Sequence, residues 1–188
     1  KIIEANDPVL PFVNVADVIK DVDVSFANLE SPFLDKPPYA QQGLVFKADP
    51  KTVEGIKFAG FDILSTANNH GLDQGRAGIE FTLKHLADHD LVAVGSGLDC
   101  PEGKIIEKNG IKFGFLAYSY TAYNDGGRRT DPLICHWEES QIQRDATRLK
   151  PKVDFLIVSF QAGKEYKRLP DQENIILARA AIDAGADM

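Results

Sequence analysis

A chain of 188 residues with 44% apolar residues is long enough to bury one good hydrophobic core, and its composition is neither fibrous nor disordered. The 21 basic residues against 28 acidic ones give a formal net charge of −7, which excludes a sequence-blind nucleic-acid binder, since such a protein needs a basic footprint. No apolar run approaches the roughly 18 residues that span a bilayer, and no secretory leader pattern is visible, which says little for a chain that reads as cut at both ends.

Taken in order, Phe12, Val15, Ala16 and Ile19 form a short helical stripe, and the run from Asp23 to Leu29 reads as a strand ending in Asn28-Leu-Glu-Ser-Pro32. Pro32, Pro37 and Pro38 force a loop, and Asp49-Pro50 then supplies an N-cap with proline at the first helical position. Val53, Ile56 and Ala59 give this second helix an apolar face, and Gly60 ends it. Ile63 to Thr66 reads as a buried strand that runs straight into Asn68, Asn69 and His70. A helix is predicted from Asp73 to about His89, then a buried strand from Leu91 to Val94 closed by Gly95-Ser-Gly97. Lys104 to Glu107 and Ile111 to Tyr118, joined by Asn109-Gly110, form the clearest hairpin, because Asn-Gly suits a type I′ turn. Residues 119 to 137 read as irregular. A helix from Glu138 to Lys150, a buried strand from Val153 to Phe160 and a helix from Gln172 to Ala184 complete the chain.

Alternating strands and helices predict an α/β fold, with a largely parallel or mixed sheet covered by helices. No linker divides the chain, so residues 1–188 read as a single domain. It begins on a weak helix and stops just after Gly185, where a new strand is expected, which gives it the look of a domain incomplete at both ends.

Three strands end in polar residues: Asn28 and Glu30, then Asn68 to His70, then Gln161 and Glu165. If these strands are neighbours, their ends line one cleft, where open α/β sheets bind ligands. A carboxylate, an amide oxygen and an imidazole suit Mn, Fe, Zn or Mg rather than a soft metal. Taken singly, each Asn or Glu is as well explained as a cap on the following helix.

The segments Phe26-Ala-Asn-Leu-Glu-Ser-Pro32, Thr66-Ala-Asn-Asn-His70, Ser159-Phe-Gln-Ala-Gly-Lys-Glu-Tyr166 and Ala180-Ala-Ile-Asp-Ala-Gly-Ala-Asp187 resemble the bacterial capsule-synthesis family of the CapA/PgsA type. That family is associated with poly-γ-glutamate and built on the calcineurin-like metallophosphoesterase fold. The resemblance implies a layered α/β sandwich, a divalent-metal cleft with Glu30 as bridging carboxylate and Asn69 as amide ligand, and His70 as proton donor to a leaving oxygen. Gln161 stands where the family usually has histidine and offers a weaker amide ligand. Asn28, Asn68, Glu165, Arg128 and Arg129 become candidates for holding a phosphoester or an anionic polymer. The resemblance also implies a cell-surface or membrane-anchored setting in the full-length protein, beside a membrane-bound capsule synthesis complex. The alternative is a non-catalytic polyanion-binding or assembly module with a degenerate metal site.

Other patterns weigh less. Gly95-Ser-Gly-Leu-Asp-Cys100 lacks the third glycine of a dinucleotide fingerprint. His85 and His89 have the i, i+4 spacing of helical zinc ligands without the Glu of that motif, which favours a solvated helix end. Cys100 and Cys135 show no metal or redox spacing and are read either as one disulfide or as two thiols, while Cys135-His136-Trp137 reads as loop packing. Lys164, Lys167 and Arg168 stand near a predicted strand end, either as solvated surface or as receivers of an anionic substrate.

Overall fold

The computed structural model describes residues 7–36, 44–97, 102–120, 133–163 and 166–188. In chain order these form α1 (Ala16–Lys20), β1 (Phe26–Asn28), a 3₁₀ turn (Pro50–Thr52) leading into α2 (Val53–Ala59), β2 (Ile63–Ser65), α3 (Gly75–Ala87) and β3 (Val92–Val94). They continue with β4 (Lys104–Lys108), β5 (Ile111–Ser119), α4 (Glu139–Leu149), β6 (Phe155–Gln161) and α5 (Gln172–Asp183). Asp49 caps the 3₁₀ turn as expected, its side chain accepting from the Lys51 amide. Asn109 and Gly110 both take positive φ, 54° and 79°, and turn β4 back on β5 in antiparallel register.

The single covered sheet expected from the sequence is replaced by two sheets of three strands each. β1, β2 and β3 are parallel, in that order, with Asn28, Ser65 and Val94 level at their carboxyl ends. In the second sheet β5 lies between antiparallel β4 and parallel β6, and Ser119 is level with Gln161. The reason lies in β5, whose apolar residues point both ways. Phe113, Phe115 and Ala117 pack with Ile63, Ala67 and Val94 of the first sheet. Leu116 and Tyr118, on the opposite face, pack with Leu156, Val158, Ile142, Ala146, Leu149, Leu177 and Ala181. A strand buried on both faces sits between a sheet and a helix layer. The outer side of the first sheet is closed by Leu64 against Phe33, Val53, Ile56 and Leu86. The layers therefore run helix, sheet, sheet, helix.

Gly95 seats the two sheets on each other. Its φ of +90° is a conformation that residues with a side chain rarely adopt, and a Cβ there would stand 2.5 Å from that of Ala67 and 2.9 Å from that of Ala117. This requirement accounts for the glycine without any nucleotide.

Element boundaries also moved. The first helix is regular only over Ala16–Lys20, after turns from Val9, and the first strand is confined to Phe26–Asn28. The helix expected from Asp73 begins at Gly75, because the Asp73 carboxylate serves His70 and Phe46 instead of capping.

Candidate functional site

Of the seven polar residues at the three strand ends, Glu30, Asn69, His70 and Gln161 line one cleft, across two stacked sheets rather than along one. A cleft of about 550 Å³ at the carboxyl ends of the strands is lined by Glu30, Asn69, His70 and Gln161, with Lys167 and Arg168 on its rim. The Gln161 amide nitrogen, at the end of β6, donates to Asn69 Oδ1 at 3.2 Å.

The loop after β2 is built to present this group. Thr66 donates its amide to the Val94 carbonyl at 2.9 Å, and tight turns follow through Gly71 to Asn68 and Asp73 to His70. Asn68 is wholly buried. Its amide nitrogen donates to Asn28 Oδ1 at 3.1 Å and to the Leu29 carbonyl at 2.8 Å, while its oxygen accepts from the His70 amide at 3.0 Å. Both ends of its side chain are thus used inside the protein, tying β1 to the β2 loop. Asn28 in turn donates to Glu30 Oε2 and holds that carboxylate at the cleft. These two asparagines, expected near a ligand, act on Glu30 and His70 from behind.

His70 is almost buried, and its ring is fixed on two sides. Nδ1 lies 2.7 Å from Oδ2 of Asp73, a residue with no exposed surface, and the Phe46 ring stacks on the imidazole at 4.0 Å and 27°. A carboxylate that also accepts from the Phe46 amide acts as an acceptor, so Nδ1 carries the proton in this pair. Nε2 is then left toward the cleft, 4.0 Å from Glu30 Oε1. Gln74 braces the Phe46 segment by donating to its carbonyl at 2.7 Å. Asp73 and Phe46 escaped the sequence reading. The i, i+3 spacing of His70 and Asp73 within a turn was a usable signal; the distant approach of Phe46 left none.

A two-metal centre asks for several carboxylates and imidazoles around each ion. The described residues supply one carboxylate, Glu30, and the amide oxygen of Asn69, which already accepts from Gln161. His70 Nδ1 is engaged by Asp73, and no group of three or more His, Cys, Asp or Glu suited to a metal occurs among the described residues. This donor set does not fit a two-metal centre.

Glu165, Arg128, Arg129, Lys164 and Cys100 lie outside the described residues. Cys135 is buried and disulfide-bonded. His85 and His89 are half-buried rather than solvated. His85 Nε2 lies 2.8 Å from the Pro50 carbonyl and His89 Nδ1 lies 2.7 Å from the His85 carbonyl, so backbone contacts account for the pair.

A polar cleft at the carboxyl ends of parallel strands, with an oriented imidazole and a carboxylate, makes this an α/β protein with a candidate binding or acid–base site. The chain belongs to the bacterial capsule synthesis protein family, whose model, described as bacterial capsule synthesis protein PGA_cap, matches residues 2–188. It is 31% identical to the capsule biosynthesis protein CapA of Bacillus anthracis, over 94% of this chain and 46% of that protein. It is 26% identical to the PGA biosynthesis protein CapA of Bacillus subtilis (strain 168), over 94% and 48% respectively. An uncharacterized protein of Sinorhizobium fredii, y4sH, is 29% identical over 46% of this chain and 20% of its own length. The chain spans about half the length of the two CapA proteins it matches.

Proposed function

We propose that this chain carries the strand-end cleft of a capsule-synthesis protein that acts on an anionic polymer or a phosphoester, with His70 as the group that holds and delivers a proton. The observation that carries the reading is the fixed imidazole: Asp73 holds Nδ1 at 2.7 Å, Phe46 covers the ring, and Nε2 is left on the cleft side. A neutral ring so held accepts a proton at Nε2, and a charged one donates it to a departing oxygen. The Lys167 and Arg168 side chains on the rim complement a phosphoryl or carboxylate group. The order helix, sheet, sheet, helix supports a metallophosphoesterase-like scaffold. We read poly-γ-glutamate as the polymer in the PGA of the family's description and of the Bacillus subtilis relative's name. The reading places the longer protein at the cell surface or on the membrane, beside a membrane-bound synthesis complex. No described helix is itself long and apolar enough to cross a bilayer.

The experiment is turnover of a generic phosphomonoester and phosphodiester by the full-length protein, with and without manganese. Glu30→Gln and His70→Ala are expected to abolish it, and full activity in both variants would refute the site. The metal-dependent form of the reading needs donors beyond Glu30 and Asn69, and the manganese arm tests it. One observation favours a second reading, a non-catalytic module that binds polyanions: the Gln161 amide is turned onto Asn69. No turnover in any arm, together with γ-glutamate oligomer binding that weakens in a Lys167→Gln, Arg168→Gln double variant, would select it.

A further inference from the structure

We propose that the strand-end cleft takes a phosphate ester whose alcohol part is apolar, with the phosphate at Lys167 and Arg168 and the apolar part against Leu44 and Leu169; this rests on the reading of the cleft as an anion site. The cleft of about 550 Å³ is larger than a phosphate group alone fills and lies in the range of sites for small organic molecules. Leu44 is 69% exposed and Leu169 is 80% exposed, and both line this cleft. The first comes from the segment that brings Phe46 onto His70, the second from the turn between β6 and α5. Half-buried Phe46 and Pro170 line the same space. Large apolar side chains scattered singly over a surface need no ligand, but a group of them on one concave site with a polar rim marks a binding surface.

Charge completes the pattern. Lys167 and Arg168 directly precede Leu169, so cationic and apolar contacts are set side by side on the cleft. No ion pair with another described residue engages either cation. Glu30 adds an opposing carboxylate, but it accepts from Asn28 and stands 4.0 Å from His70 Nε2, so the two cations rather than the strand end receive an anion. A phosphate, with up to two negative charges and three acceptor oxygens, gains more from two adjacent cations than a carboxylate does. A wholly polar ligand would leave both leucines in water. An anionic head joined to an apolar body uses every one of these side chains.

Methyl, butyl and octyl phosphate and octanoate are titrated against the full-length protein by calorimetry, with octyl phosphate kept below its micelle-forming concentration. Each methylene moved from water onto an apolar wall tightens binding about twofold when half covered and about fourfold when fully covered. Octyl phosphate is therefore expected to bind about tenfold or more tighter than methyl phosphate, with butyl phosphate between them and octanoate weaker than octyl phosphate. A Leu44→Ser, Leu169→Ser double variant is expected to bring octyl phosphate down toward methyl phosphate. Val18→Ser, at a position on α1 that is 73% exposed and outside the cleft, is expected to leave the chain-length gain in place. Methyl phosphate or octanoate binding as tightly as octyl phosphate, or a gain that survives the double variant, would overturn the proposal while the anion site stands. No binding of any phosphate would overturn both.

Discussion

Replacing Asp73 by alanine isolates the contact on which the cleft depends. The side chain has no exposed surface, and its Oδ2 accepts from both His70 Nδ1 and the Phe46 amide. Truncation leaves two donors without an acceptor, each of which costs about 1–3 kcal/mol when buried. Phe46 is half-buried, so water recovers part of its share, and the sum comes to about 2–4 kcal/mol. For a chain of this size that is a fall in Tm of about 5–15 °C. Asp73→Asn keeps an oxygen that at the Oδ2 place accepts from both donors but without the charge, so it falls between wild type and alanine. Glu80→Ala removes the exposed partner of Arg76 and serves as control, with an expected shift of no more than about 2 °C. Differential scanning calorimetry gives the order. Nitrogen-resolved NMR of the His70 ring gives the cause, since wild type should show the proton on Nδ1 and Asp73→Ala a mixture of tautomers. An alanine variant as stable as the Glu80 control, with the Nδ1–H form intact, would refute the tie between these side chains.

Two further outcomes concern the scaffold. Gly95→Ala places a Cβ 2.5 Å from that of Ala67 in a left-handed backbone conformation, so it is expected to destabilise by about 3 kcal/mol or more in chemical denaturation, and a loss under about 1 kcal/mol would contradict the stacking of the sheets. Tyr118 donates to Asp145 at 2.9 Å, and its hydroxyl is pushed well above the ordinary phenol value of 10.0, first by burial and then by the neighbouring Asp145 carboxylate. A raised folded value means stability that is complete below the unfolded value and lost as pH climbs beyond it. Denaturation midpoints measured upward from pH 10 should therefore fall more steeply for wild type than for Tyr118→Phe, and parallel curves would contradict the assignment.

Most of the cleft was legible because strand ends announce themselves: apolar runs stopping at Asn28, Asn69 and Gln161 mark where chains emerge from a core. Glu30 and His70 follow by position alone. Outside the family resemblance, which implied a sandwich, the stacking of two sheets was not legible, because an apolar run such as Phe113 to Tyr118 looks the same whether a strand is central in one broad sheet or sandwiched between a sheet and helices. Asp73 was placed at the start of a helix, with its tie to His70 unseen, for a related reason. An aspartate before a helical pattern is ordinarily a cap, and only the turn through Gly71 aims it at His70. Phe46 approaches the imidazole from a loop whose local sequence has no periodicity, so its stacking could come only from tertiary structure.

In the proposed function, His70, held by Asp73, meets an anionic ligand in the strand-end cleft. The direct measurement is the NMR response of the His70 ring nitrogens during titration of the protein with inorganic phosphate and with γ-glutamate oligomers. A saturable shift at Nε2, with the Nδ1–H signal retained and the response lost in the Lys167→Gln, Arg168→Gln double variant, is the predicted result. Ligand binding that leaves both His70 nitrogens unmoved would contradict it.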